Sequence, residues 1–450
     1  MRAAKRRKVL YLVIGLALAA LAGGATSPVA QGLPALPNTV QQWNKIAEDI
    51  VVASGAFQGE GEVYMSYTAT AVYDAVVAIE GGYEPYGPAI SAPAGASVDC
   101  AVVEAAYRTL VHYFPSNATL AGILNQDYSD ALSDLDGCTA DGGKGTNVGL
   151  AAANNIIALR AEDGRLTPIG TTSPFETKDP GPGVWRLTPP FAVAQTPWLG
   201  SVQPFLLKSP GQFRTEPPVP LTSREWVRAF DEVKMWGRAT GSPRNAEQTA
   251  IARFYTANVI RQFNLAARDL ATARDLSLLQ TARLLAVINT VSADALMSVL
   301  NAKYHFLFWR PVTAIDPTAV IADGYGPVPG FDDGNPATVE EPGWRPLVGT
   351  PNHPEYPGAH GTNTSAIAEV LSELLGTDNI DVDIHGFSAA GLPGNLDAVR
   401  HYDTANELRS EVVNARLWGG IHYRFSSEAG VQLGHKVAHY GLNHAFRPIP

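Results

Sequence analysis

The chain is 450 residues long, 46% of them apolar and 17% charged, with 42 glycines and 33 prolines. That apolar share excludes a disordered chain, and the length asks for two packed units or one large one. Its 33 basic and 43 acidic residues give a net charge of −10; such a surface repels nucleic acid, so any anion site must be a local cation cluster working against the overall field.

Residues 1–30 read as an export signal. Arg2, Lys5, Arg6, Arg7 and Lys8 open the chain, Val9–Ala22 is apolar, and small residues follow through Ala25. The apolar stretch is too short for an ordinary spanning helix, and the small residues suit cleavage; a retained anchor is the alternative. Arg6-Arg7 weakly resembles a twin-arginine signal, which leaves the export route open. Removing this segment leaves 28 basic against 43 acidic residues. The expected mature protein is secreted or periplasmic, without a stable membrane span.

Residues 31–170 form an N-terminal helical region. Val40–Ala53, Val63–Ile79, Val98–Phe114, Leu120–Leu135 and Asn147–Glu162 repeat apolar residues at helical spacing. Cys100 and Cys138 are the only cysteines. They form no CxxC, which excludes a thiolate zinc site; in an exported chain they either make one disulfide or stay as two buried thiols. Residues 171–223 are rich in Pro, Thr and Gly and read as a crossover. Helical patterning returns over 224–450, at Gln248–Ala271, Leu276–Trp309, Thr362–Leu375, Asn406–Leu417 and Glu428–Leu442, with a Gly/Pro-rich excursion at Thr318–Pro354. No alternating strand signal competes, so a mainly α fold is expected, two helical parts joined by long Pro/Gly-rich connections.

Three C-terminal segments carry candidate chemistry. In Lys303-Tyr-His-Phe-Leu-Phe-Trp-Arg310-Pro311 two cations stand seven residues apart, which on one helix places them on one face, about 10 Å apart along the axis. In His353-Pro-Glu-Tyr-Pro-Gly358-Ala359-His360-Gly361 a Pro-broken loop runs into a helix expected to start near Gly361. Small residues there let backbone N–H groups approach a ligand, and the helix N-terminus favours an anion. In Ala415-Arg416-Leu-Trp-Gly419-Gly420-Ile-His422 the glycines can bend the chain so that Arg416 and His422 reach one point. Taken singly, each segment is also compatible with snorkelling cations, a capping His and a core His. Together, three cations and two imidazoles suit an oxyanion, whereas a cationic metal would want carboxylates. GxSxG, HExxH and Walker A motifs are absent, which removes the usual support for serine hydrolases, zincins and nucleotide enzymes.

At these residues the sequence resembles the vanadium-dependent haloperoxidases of the type 2 phosphatidic acid phosphatase superfamily. Lys303…Arg310-Pro311, Pro357-Gly358-Ala359-His360 and Ala415-Arg416…His422 follow the family's three-part signature. The resemblance implies a helical bundle with the site inside its C-terminal part. It implies vanadate held by Lys303, Arg310, Arg416 and the N–H groups of Gly358 and Ala359, with His422 as the ligand to vanadium. His360 would be the acid/base, and Lys303 would polarise hydrogen peroxide as a halide and a small organic acceptor are processed. His353, seven residues before His360, leans toward bromide. A homo-oligomer is left open. The chain departs from the signature at Gly358 and Ala415, where the family has serines, and at Ala359, where it has glycine. Two other readings share the residues: a secreted acid phosphatase with His422 as nucleophile, and a non-catalytic exported protein that keeps an anion pocket.

Overall fold

A computed structural model describes residues 38–450 except 116, 136, 317, 319–332, 388–397 and 450; the export signal expected at 1–30 lies outside them. The N-terminal helices are α1 (Thr39–Ala53), α2 (Gln58–Glu80), α3 (Val98–Tyr113), α4 (Ala118–Asp134), α5 (Gly137–Ala140) and α6 (Lys144–Leu159). The side chains of Asn38, Ser97 and Asn117 accept the orphan N–H groups at the starts of α1, α3 and α4. Every residue of α2 from Gly59 to Val77 is buried, as expected of a helix with no polar face. Cys100 and Cys138 form a disulfide that ties α3 to α5.

Among the described residues of 171–223 the only regular element is a 3-10 turn at Pro197–Ser201. Then come α7 (Arg224–Trp236), α8 (Ala246–Phe254), α9 (Val259–Ala273), α10 (Leu278–Phe306), α11 (Pro311–Ile315), α12 (Ala359–Leu375), β1 (Asn379–His385), β2 (Val399–Thr404), α13 (Ala405–Trp418) and α14 (Arg424–His444). A reciprocal Ser277/Gln280 capping box starts α10. It is long and apolar enough to cross a membrane, yet it is almost wholly buried. It packs on α2, α9, α12 and α14. One apolar cluster, from Val40 to Phe446, takes residues from the helices before and after the crossover.

Two short strands depart from the all-helical expectation. β1 and β2 pair antiparallel, with Val382 opposite Tyr402 and Ile384 opposite Arg400. Ile380, Val382 and Ile384 face the core while aspartates face out. The two-residue alternation is present, but it is short and stands between strong helical signals.

Candidate functional site

Lys303 lies in the last turn of α10, and Arg310 lies outside that helix. The helix stops at Phe306 because Leu307 turns left-handed (φ 53) while donating its N–H to the Lys303 carbonyl. Arg310 is instead the residue before Pro311, in extended backbone that a following proline favours. The expectation of one continuous helix face is therefore corrected. The two cations converge on the carbonyls of residues 353–355 from different elements, not through helical spacing.

Residues 307–309 are held by the crossover. Trp185 N–H donates to the Leu307 carbonyl at 2.7 Å, and Trp309 N–H to Gly183 at 3.1 Å. On the other side Glu355 N–H donates to the Phe308 carbonyl at 2.9 Å. Trp309 stacks on Trp226, with ring centroids 5.9 Å apart, and Phe308, Tyr423 and Tyr356 complete an apolar floor.

Both early cations are fully buried. Lys303 Nζ donates to the carbonyls of Pro354 (2.8 Å) and Glu355 (2.7 Å). Arg310 donates to the carbonyls of His353 and Ile421, and its Nη1 stands 3.1 Å from His422 Nε2. These bonds fasten the 353–358 loop to the segment after α13. That segment turns at Gly420 (φ 76), where a side chain would also strike Gly237. The bend expected at Gly419-Gly420 is thus present, and it brings His422 back beside Arg310. Arg416, in the last turn of α13, donates through Nη1 to the Tyr255 carbonyl (2.7 Å), and its buried Nε has no partner.

The helix carrying His360 starts two residues earlier than expected, at Ala359, with Gly358 as its cap residue. Its first internal bond runs from Thr362 N–H to the Gly358 carbonyl (3.0 Å), so the N–H groups of Ala359, His360 and Gly361 precede the helical ladder. Gly358 N–H is not among these donors: it is given to the Ser426 carbonyl at 2.9 Å. This corrects its expected role in the anion cradle.

Burial sets the electrostatics. Desolvation, followed by the Arg310 charge, lowers Lys303 well below the ordinary lysine range. Desolvation likewise brings Arg310 down to about 10 and Arg416 to about 9, with Arg310 adding to the latter. His353, His360 and His422 are all lowered well below the usual histidine range, by burial first and then by the neighbouring cations. Glu355 is pushed up to about 7 by burial, with Lys303 and Arg310 pulling the other way. Lys303 and Arg310 thus share one buried carboxylate, and buried Arg416 has Arg310 as its charged neighbour. Charges buried without partners are costly, so the site is built for an anionic guest.

A cavity of about 750 Å³ opens onto it, with Phe57, Val259, Leu296, His353, His360 and Arg416 among its walls. None of the described side chains that line it is a carboxylate. His360 Nε2 is buried without a partner. His353 faces the cavity near Phe57 (ring centroids 6.4 Å) and places Nδ1 3.1 Å from Arg310 Nη2.

The structure gathers Lys303, Arg310, His353, Ala359, His360, Arg416 and His422 around this corner of the fold. Sequence reasoning missed Glu355, whose Oε1 accepts from His422 Nδ1 at 2.8 Å and from Tyr423 N–H at 3.1 Å. A lone acid between two prolines, inside a segment read as anion-binding, was the available signal. The Tyr255 carbonyl partner of Arg416 could not be read, since any residue type supplies a carbonyl.

Residues 283–449 match the family model described as the VCPO second helical-bundle domain. The chain is 32% identical over 97 residues to a vanadium-dependent bromoperoxidase of Ascophyllum nodosum, and 27% identical over 188 residues to a vanadium chloroperoxidase of Curvularia inaequalis. These matches cover 20% and 33% of this chain, and only 17% and 28% of those relatives' lengths. Among solved structures, one described as the first bacterial vanadium-dependent iodoperoxidase superposes with a TM-score of 0.69 at 22% identity, covering 91% of this chain and 96% of that one. A holo-type bacterial vanadium-dependent chloroperoxidase gives 0.64 at 17% identity, over 88% and 92%. The resemblance seen in the motifs is borne out, and the helical fold is shared.

Proposed function

We propose that this chain, whose C-terminal region is a VCPO-type helical bundle, is a vanadate-dependent haloperoxidase. It takes hydrogen peroxide and a halide, bromide foremost, to a hypohalous species that small organic acceptors consume. The observation that carries this reading is the charge imbalance: Lys303, Arg310 and Arg416 are all buried, Glu355 offsets the first two, and Arg416 Nε and His360 Nε2 lack partners.

These residues fit a tetrahedral oxyanion. The three cations supply charge, and the first turn of α12 supplies free N–H groups. His422 supplies a nitrogen lone pair, because Arg310 has only donors to offer and so meets Nε2 as an acceptor. Bound vanadate would supply a Lewis-acidic centre at which peroxide becomes reactive toward halide. The protein does the rest. Its cations offset the anion's charge, and His422 keeps Nε2 aimed at the guest. His360, held neutral by burial and by Arg416, can take a proton from peroxide at Nε2. Apolar Phe57, Val259 and Leu296 limit the water that competes for the site. The preference for bromide rests on His353, which faces the cavity at the position the motif comparison associates with bromoperoxidases. An extracytoplasmic location rests on the cationic and apolar start of the chain.

The test is peroxide-dependent bromination of a diketone dye by the purified protein, with and without orthovanadate, beside p-nitrophenyl phosphate hydrolysis without vanadate. Bromination that requires vanadate and disappears in His422→Ala supports the reading. Phosphatase activity inhibited by vanadate, with no bromination, replaces it with the phosphatase reading.

A further inference from the structure

The first turn of α14 brings an unassigned hydroxyl to the start of α12. Ser427 is fully buried, and its Oγ has no hydrogen-bond partner. A helical serine commonly returns its hydroxyl to the carbonyl one turn back; Ser427 does not. A buried hydroxyl without a partner is costly, and here the neighbourhood indicates what would satisfy it.

That neighbourhood is the beginning of α12. A Cβ added to Gly358 would stand 3.0 Å from Ser427 Cα and 3.3 Å from Ser427 Oγ, so the hydroxyl flanks the cap residue of the helix. The approach is made possible by a glycine seam. A Cβ at Gly361 would press on the Ser427 carbonyl, and one at Gly430 or Gly434 would collide with the carbonyls of Gly358 and Thr362. Without side chains at these positions, α14 lies backbone to backbone on α12. The Ser426 carbonyl removes Gly358 N–H from the available donors, while the adjacent Ser427 hydroxyl remains unspent. Arg416 Nε and His360 Nε2, which line the cavity, are unspent as well.

We propose that the Ser427 hydroxyl donates to the oxyanion held at the start of α12, so that α14 contributes a direct ligand contact to the site. This rests on the vanadate reading above. The packing that denies Gly358 a side chain also delivers a hydroxyl from the neighbouring helix, so the loss of a hydroxyl at 358 is made good from a position some seventy residues away in sequence.

The experiment is equilibrium dialysis of the full chain against orthovanadate, with bound vanadium measured by elemental analysis and no turnover involved. Ser427→Ala is expected to bind vanadate roughly tenfold or more weakly, as for a lost hydrogen bond to a charged group, with its vanadate-free thermal midpoint preserved. Ser427→Cys, close in size and a poor donor, should show the same loss, which guards against a folding artefact. Vanadate binding within about twofold of the parent in both single variants, while Arg416→Ala loses it, would overturn the proposal and leave the vanadate reading intact. Absence of binding in the parent chain would instead overturn the vanadate reading, and this proposal with it.

Discussion

His422 gives its Nδ1 proton to Glu355 Oε1 across 2.8 Å, and its other nitrogen faces Arg310 Nη1 at 3.1 Å. Both contacts demand the same tautomer. A guanidinium only donates, so Nε2 must hold the lone pair, and the carboxylate takes the proton on Nδ1. The imidazole is thereby committed to offering Nε2 to a guest, as when a second group fixes the orientation of a metal-binding histidine.

This pair yields the first prediction. Glu355→Ala removes the acceptor that fixes the ring, and vanadate affinity should fall about 10- to 100-fold by equilibrium dialysis. Glu355→Gln keeps an acceptor oxygen and should lose far less. Equal losses in both variants would place the effect in the charge of Glu355 rather than in its hold on His422.

The two buried arginines should separate in their effects. Arg310 satisfies the carbonyls of His353 and Ile421, so Arg310→Ala leaves buried acceptors unpaired and should cost about 1–3 kcal/mol of stability for each. Arg416 makes one hydrogen bond, to the Tyr255 carbonyl, and keeps Nε free. Arg416→Ala should therefore lower vanadate affinity at least as much while changing the thermal midpoint less. Vanadate at 100 times its Kd should stabilise the parent by about 2.7 kcal/mol, an effect that Arg416→Ala blunts. Scanning calorimetry with and without vanadate checks both statements.

Three buried carboxyls make stability fall as the pH rises from about 4 to 8, against the buried His353, His360 and His422, which act in the opposite sense below about pH 6.5. Burial raises Glu62 from 4.5 to about 8, and Asp74 and Asp294 from 3.8 to about 6. In that window the folded chain keeps protons that the unfolded chain has released, so raising the pH favours unfolding. The Glu62 contribution is largely complete near pH 8 and bounded by roughly 5 kcal/mol. Measured against the parent, Glu62→Gln should remove part of the fall in thermal midpoint with rising pH, most clearly between about pH 6.5 and 8, where the histidines no longer titrate. A Glu62→Gln profile parallel to the parent's would refute the assignment.

The Cys100–Cys138 bridge closes a loop spanning 38 positions. Constraining a loop of that length in the unfolded chain is worth about 4 kcal/mol in the chain-entropy model. Cys100→Ser with Cys138→Ser should lower the thermal midpoint by several degrees, and a reductant should then have no further effect. Because the bridge ties α3 to α5, neither of which carries a candidate site residue, dialysis should show vanadate affinity nearly unchanged at a temperature where the variant stays folded.

The sequence by itself determined the helical character of the chain, through apolar residues recurring every three to four positions, and the chemistry of the guest, through the sign of Lys303, Arg310 and Arg416 beside two imidazoles. Both are written in residue types and short spacings, which survive without coordinates. Only the tertiary structure decided which donors remain for the anion. The left-handed turn at Leu307, the capture of Gly358 N–H by Ser426 and the pairing of Glu355 with His422 arise from segments that meet after folding. A buried polar group must find a partner, but which partner it finds depends on distances that residue order does not encode locally.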